Sequence, residues 1–387
     1  MQASTHLLDK LDKRPPYKLL ALDGGGIRGL LSIEILAEME QLLQQQLGKD
    51  DHFVLSDYFE YMAGTSTGAV IATCLSLGMR VAEVRSIYLE SAELMFDKAS
   101  VLKRLRYKYD DEPLAAKLQS VLSKRSGEAT PTLGTTALKT LLMVVLRNAT
   151  TDSPWPLSNN PRAQYNTPLD RPGCNLHLPL WQIVRGSCAA PTYFPPEQVK
   201  INERAFVFVD GGITPYNNPA FKLFLMATVD AYQVNWRPRN SKDMLLVSIG
   251  TGSAAQFDDG LSPRDMNLLY NCSTIPSALM HGCINEQDLL CRIFGDCLEG
   301  GILDRELNKR MDTPYLGLAG AVDPKLFTYV RYNAQLDAAG LNEMGLGHIE
   351  PRTVQQLDSV SHKAQLQEIG KWVGKSKVRA EHFADFI

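Results

Sequence analysis

No stretch of this sequence is apolar for long enough to cross a bilayer, and residues 1–17 lack the apolar core of a signal peptide. A cytoplasmic protein is therefore expected. The seven cysteines, Cys74, Cys174, Cys188, Cys272, Cys283, Cys291 and Cys297, are odd in number and include no C-x-x-C pair. That pattern argues against a disulfide framework and a zinc site alike, and reduced core thiols are expected. A calcium loop of the D-x-D-x-D-G kind is also missing, so neither a metal nor another cofactor is expected in the chemistry. Charge of one sign is scarce: a net charge of -3 gives no electrostatic case for a nucleic acid polymer as partner.

What is present is apolar residue in quantity, 44% over 387 residues, enough to bury a large core. Residues 18–22 form a short apolar run that breaks at Asp23-Gly24-Gly25-Gly26, and residues 30–47 follow with helical periodicity through Leu36, Met39, Leu43 and Leu47. A second unit of strand, glycine turn and helix runs through residues 58–63, Gly64-Thr65-Ser66-Thr67-Gly68 and residues 69–77 before Gly78 stops it. Two such units in succession predict an α/β protein with a mostly parallel sheet flanked by helices.

Residues 141–146, 205–209 and 244–249 read as further buried strands, and residues 153–173, rich in Pro and Asn, as a loop. From about residue 267 the pattern turns helical, most clearly over 286–311 and 354–373. With no internal repeat and no low-complexity linker, the expected organisation is a tail at 1–16, an α/β core at 17–260, and a mainly helical section at 261–387 packed on the same domain.

Three stretches carry chemistry. Gly64-x-Ser66-x-Gly68 lies between a predicted strand and a predicted helix, the setting in which glycines allow a tight turn that lifts a serine hydroxyl off the sheet. The following amide, that of Thr67, then points from the positive end of the helix. A serine that merely caps the helix fits the same pattern. Gly24-Gly25-Gly26-Ile27-Arg28-Gly29 offers a nest of backbone amides for a developing negative charge. It also satisfies the G-x-G-x-x-G dinucleotide fingerprint, but no acid closes the predicted second strand, where a ribose hydroxyl would need one. Asp210-Gly211-Gly212 puts an aspartate at the carboxyl end of a strand, a position suited to general-base work and equally to a turn aspartate.

Taken together with Ser187-Cys188-Ala189-Ala190-Pro191-Thr192-Tyr193-Phe194-Pro195-Pro196 and Asn217-Asn218-Pro219, in this order, these stretches resemble the patatin-like phospholipases over roughly residues 18–252. The resemblance implies a three-layer patatin-like fold and a catalytic dyad of Ser66 and Asp210. It implies an oxyanion hole at Gly24, Gly25 and Gly26 with Arg28 and Thr67 in support, while Gly64, Gly68, Gly211 and Gly212 shape the turns. No histidine is required. A Ser-His-Asp esterase stays open as an alternative, with His281, His348, His362 and His382 following Asp210 in the chain. So does a non-catalytic lipid- or dinucleotide-binding protein.

Membrane glycerophospholipids are the expected substrates, met by peripheral association with a lipid surface, because the resemblance points there. Trp155, Tyr165, Tyr107 and Tyr109 offer rings suited to such an interface, and Lys103, Arg104, Arg106 and Lys108 form a local basic cluster. Some bacterial relatives are antiphage effectors switched on by a cyclic oligonucleotide, so such an activator is an open expectation for residues 267–387, as is a homo-oligomer.

Overall fold

The computed structural model describes residues 5–95, 109, 112–253, 262–264, 266–301, 303 and 322–387. Among them, nine strands form one sheet. In chain order these are β1 (Tyr17–Leu22), β2 (Tyr61–Thr65), β3 (Leu141–Asn148), β4 (Ser153–Ser158), β5 (Glu197–Ile201), β6 (Arg204–Asp210), β7 (Met244–Ile249), β8 (Gly295–Glu299) and β9 (Phe327–Tyr332). β1 is central and pairs in parallel with β2 on one side and β7 on the other. β3 continues the parallel order beyond β2, and β9 and then β8 continue it beyond β7. The antiparallel pairs are β3 with β4, β3 with β6 and β5 with β6.

The inner strands are mostly apolar because both faces of the sheet are covered. Their alternation nevertheless sorts them. Leu20, Leu22, Met62, Leu142, Val144, Val247 and Ile249 join one buried cluster, while Leu19, Ala21, Ala63, Met143, Val145, Leu246 and Tyr329 join the other. The first face is covered by the helices Gly29–Gln46 and Lys363–Lys377. They approach closely, since a Cβ added at Gly370 would stand 2.6 Å from the Leu31 carbonyl oxygen. Ala220–Thr228 and the far end of Leu268–Phe294 cover the second face, where the rings of Phe221 and Phe294 lie 5.2 Å apart. The result is the three-layer α/β architecture that the turn-helix pattern implies.

Several elements differ from their sequence patterns. Residues 153–158 are not loop but β4, which pairs with β3 alone. Pro154 and Pro156 are two positions apart and so lack their N–H on the same side, which an edge strand can leave unpaired. The helix expected over 286–311 ends at Phe294, and Gly295 opens β8 instead. A Cβ at Gly295 would stand 2.4 Å from the Phe327 ring, so glycine lets this chain run directly against β9. The helix expected over 354–373 is two, Pro351–Gln355 and Lys363–Lys377, parted by a turn at residues 356–362. The C-terminal section therefore adds two strands to the sheet as well as helices to its faces.

Candidate active site

Two strands of opposite direction end against each other beside β3. β2 pairs with residues 141–145, its last register pair being Thr65 and Val145, whereas β6 pairs with residues 146–148, beginning with Asp210 opposite Leu146. β4 runs along residues 143–148 and takes the other edge of β3, so β2 and β6 must share one edge and meet at their carboxyl ends. Ser66 follows the end of β2, and Asp210 is the last residue of β6. The Ser66 hydroxyl donates to Asp210 Oδ2 at 2.7 Å.

Ser66 stands at φ 53° and ψ -123°, a strained conformation for a residue with a Cβ. The turn is held from below. Its amide donates to Ser187 Oγ at 2.9 Å, and the Ser187 hydroxyl donates in turn to the Val145 carbonyl at 2.6 Å. The flanking glycines admit the crossing: a Cβ at Gly68 would lie 2.3 Å from the Leu22 carbonyl oxygen, and one at Gly64 would lie 2.1 Å from that of Gly68. The helix Thr67–Ser76 starts at once, which leaves the Thr67 amide without an intrahelical acceptor.

Asp210 is 5% exposed, and burial pushes its carboxyl up to about 6, against the opposing pull of the Ser66 hydroxyl and the Gly212 amide. The Gly212 amide donates to Asp210 Oδ1 at 2.6 Å, so each carboxylate oxygen has its own donor and the ring of atoms fixes its orientation. Gly211 has no room for a side chain, as its Cβ would meet the Val145 carbonyl oxygen at 2.3 Å.

The glycine turn after β1 faces this pair, and a Cβ at Gly24 would stand 3.2 Å from Ser66 Cβ. Its carbonyls are tied back. The Gly24 carbonyl accepts from Thr251 Oγ1 at 2.9 Å, the Gly25 carbonyl from the Arg28 amide at 3.2 Å, and the Gly26 carbonyl from the Tyr88 hydroxyl. The Gly24 amide is spent on the Asn217 carbonyl at 3.1 Å, which removes it from the donors expected there. Among the described residues the amides of Gly25 and Gly26 meet no acceptor, so with Thr67 they are the donors left for an anion. Arg28 is half-buried with its Nε lacking a partner among the described residues, and burial presses its guanidinium down to about 10 with Asp23 opposing.

Sequence reading missed much of what holds this arrangement. Arg331 on β9 reaches Asp23 Oδ2 at 2.6 Å and Ser248 Oγ at 2.6 Å. On its other flank stands Asp288, 3.7 Å from Arg331 Nε and itself paired to Arg292 at 2.8 Å. All four charged side chains are buried. No local pattern marks Arg331, because its partners come from the turn after β1, from β7 and from the helix Leu268–Phe294. Leu357 likewise contributes only its carbonyl, which accepts from the Ile27 amide at 2.9 Å.

No histidine among the described residues bonds to Ser66 or Asp210. His382 bonds to Tyr332 and His362 to Ser359, while His348 stands 3.7 Å from Glu368. His281 bonds to Asn285. The basic cluster at Lys103, Arg104, Arg106 and Lys108, with Tyr107, lies outside the described residues. Tyr109 is buried against Tyr193 and Phe194, with its hydroxyl on Asp358 at 2.7 Å, and so presents no ring to a lipid surface. Among the described residues no group of three metal-ligating side chains occurs.

A family model described as patatin-like phospholipase matches residues 20–224. Over 263 residues the chain is 30% identical to Patatin-17 of Solanum cardiophyllum, covering 64% of this chain and 63% of that protein. It is 29% identical over 340 residues to Patatin-like protein 1 of Arabidopsis thaliana, covering 75% and 77% respectively. A cGAMP-activated phospholipase of Vibrio cholerae is 30% identical over 216 residues, or 53% of this chain and 56% of that protein. The match thus spans less than two thirds of the length of Patatin-17 and of the Vibrio cholerae protein.

Proposed function

Because this chain belongs to the patatin-like phospholipase family, we propose that it is a lipid acyl hydrolase in which Ser66 is the nucleophile and Asp210 its general base. The observation that carries the reading is the 2.7 Å hydrogen bond from the Ser66 hydroxyl to a buried carboxylate with no imidazole in between. Asp210 takes the hydroxyl proton as Ser66 Oγ bonds to the ester carbonyl carbon, and the carbonyl oxygen becomes the oxyanion. The amides of Gly25, Gly26 and Thr67 receive that charge. Collapse breaks the bond to the alkoxide, Asp210 returns the proton to it, and the lysolipid leaves. Water then attacks the acyl-serine by the same route, releasing a fatty acid and restoring the serine.

A carboxylate raised to about 6 by burial is a stronger base than one in water and is still ionised at neutral pH. Its proton affinity remains modest, so most of the barrier lowering falls to the preorganised amides. Glycerophospholipid is the substrate class proposed, approached by peripheral association with a bilayer. Ile213, three positions from Asp210, is 41% exposed and offers an apolar rim to such a surface. No helix among the described residues is long and apolar enough to cross one. Relatives described as cGAMP-activated phospholipases, from Vibrio cholerae and Escherichia coli, favour a second element of the proposal: activation by a cyclic oligonucleotide, and with it a defence role.

The test combines a serine-directed fluorophosphonate with vesicles of phosphatidylglycerol, with and without a panel of cyclic dinucleotides and trinucleotides. The expected result is labelling that Ser66→Ala abolishes, together with fatty acid release that Ser66→Ala and Asp210→Asn each reduce by about four powers of ten or more. Activity indifferent to the whole panel overturns the activator element alone. Absence of both labelling and release under every condition leaves the non-catalytic reading instead.

A further inference from the structure

The third glycine of Gly24-x-Gly26-x-x-Gly29 has no evident part in an oxyanion hole, since it already lies inside the helix Gly29–Gln46 with φ -55°. Its surroundings explain it. A Cβ at Gly29 would stand 2.7 Å from Thr67 Oγ1 and 3.0 Å from the Tyr88 hydroxyl. Through this space the two hydroxyls reach one another, and the Tyr88 hydroxyl goes on to the Gly26 carbonyl.

Proton counting fixes the direction. A carbonyl only accepts, so the single Tyr88 hydrogen goes to Gly26, and the Thr67 hydroxyl must donate to the tyrosine oxygen. Tyr88 is 4% exposed and belongs to the helix Val81–Met95, far from either turn in sequence. Burial holds its hydroxyl well above the usual tyrosine range, so it stays a protonated donor at every working pH. The chain of donors ends on the peptide unit that follows Gly26, a residue at φ 58°. It begins on Thr67, whose own amide opens the helix after Ser66.

We propose that Tyr88 is a positioning residue of the oxyanion hole, its hydroxyl locking the glycine turn to the helix that follows Ser66 so that the Gly25, Gly26 and Thr67 amides converge on one point. The inference rests on the oxyanion role proposed above for those amides. The hole is built from two separate turns, and hydrogen-bond donors aimed at a transition-state oxygen lose their effect when displaced by about 1 Å. Pairing of β1 with β2 brings the two turns side by side as far as Leu22 and Gly64, and beyond the strands the hydroxyl pair ties Gly26 to Thr67. Tyr88 touches neither substrate nor reacting atoms and acts only through Gly26 and Thr67.

Tyr88→Phe keeps the ring and removes the tie, Thr67→Val removes it from the other end, and the double variant closes the cycle. The expected outcome is a fall in kcat of about ten- to a hundredfold for Tyr88→Phe with KM within about twofold. Labelling of Ser66 by the fluorophosphonate slows by the same factor, because its phosphoryl oxygen occupies the same hole. The double variant loses no more than the worse single one, and the acid limb of the rate profile does not move, since Asp210 is untouched. Gly29→Ala, whose backbone suits alanine, reproduces the loss by displacing the hydroxyl pair. A purely structural tyrosine would instead lower the melting temperature while leaving kcat and labelling intact well below it. That result, or losses that multiply in the double variant, overturns the proposal while Ser66→Ala remains inactive. Should Ser66→Ala itself retain labelling and turnover, the dyad reading fails first and takes this one with it.

Discussion

The Ser66 hydroxyl and the Asp210 carboxylate meet at 2.7 Å across 144 positions of sequence, because β2 and β6 approach head to head along one edge of β3. A one-residue slip of β6 on β3 would turn Asp210 to the opposite face. The antiparallel insertion in a mostly parallel sheet is therefore the feature that unites them.

The proposed base must be ionised to work, so the raised pKa of Asp210 is expected to appear in the rate. The kcat/KM profile for a phospholipid ester is expected to have an acid limb near pH 6, where an ordinary aspartate would give one near 4. A rate still level at pH 5 would exclude Asp210 as the base.

The same burial has a cost in stability. Burial raises Asp210 to about 6 in the fold against an ordinary value of 3.8, so the folded state binds more protons between those values. Its contribution improves as the pH falls through 6 and is at its worst above it. Asp210→Asn is expected to unfold at higher temperature than the parent at pH 8, by the equivalent of about 3 kcal/mol. The gain should shrink toward pH 4. A lower melting temperature at pH 8 would count against the desolvated carboxylate.

Arg331 and Asp23 form a buried pair, each 3% exposed, with both terminal guanidinium nitrogens on the carboxylate. Removing one partner leaves the other charge buried, so Arg331→Met should cost about 3–5 kcal/mol in urea unfolding. Adding Asp23→Asn should restore a large part of that loss. If the double variant is less stable than Arg331→Met, the pair is not the source of the cost.

Gly68→Ala tests the tight turn at Ser66. Its Cβ would press on the Leu22 and Asp23 carbonyl oxygens at 2.3 and 2.7 Å, backbone that the central strand holds fixed. Loss of both labelling and stability is expected, and a fully active Gly68→Ala would mean that the turn has slack the geometry does not allow it.

Alanine at His281, His348, His362 or His382 is expected to leave turnover within a few-fold of the parent, although His382→Ala should lower stability through its lost bond to Tyr332. One such variant as inactive as Asp210→Asn would replace the dyad by a triad.

Local chemistry explains how much of this could be read in advance. Gly64-x-Ser66-x-Gly68 and Asp210-Gly211-Gly212 are legible because the residues that make each turn are neighbours in the chain, and each glycine answers a clash that can be named. β1, β3 and β7 are legible as short, mostly apolar runs. β4 was hidden by its prolines and β8 by Asp296, Glu299 and its shortness, since edge strands need neither full apolarity nor a full set of amides.

The sequence by itself determined the α/β class, the two turns and the residues they present, because backbone conformation there depends on glycine and on the apolar period within a few positions. Tertiary structure alone decided that Ser66 finds Asp210, that the Gly24 amide is spent on Asn217 while those of Gly25 and Gly26 remain, and that Arg331, Leu357 and Tyr88 brace the glycine turn. Those pairings follow from strand register and helix docking, which bring together groups with no relation along the chain.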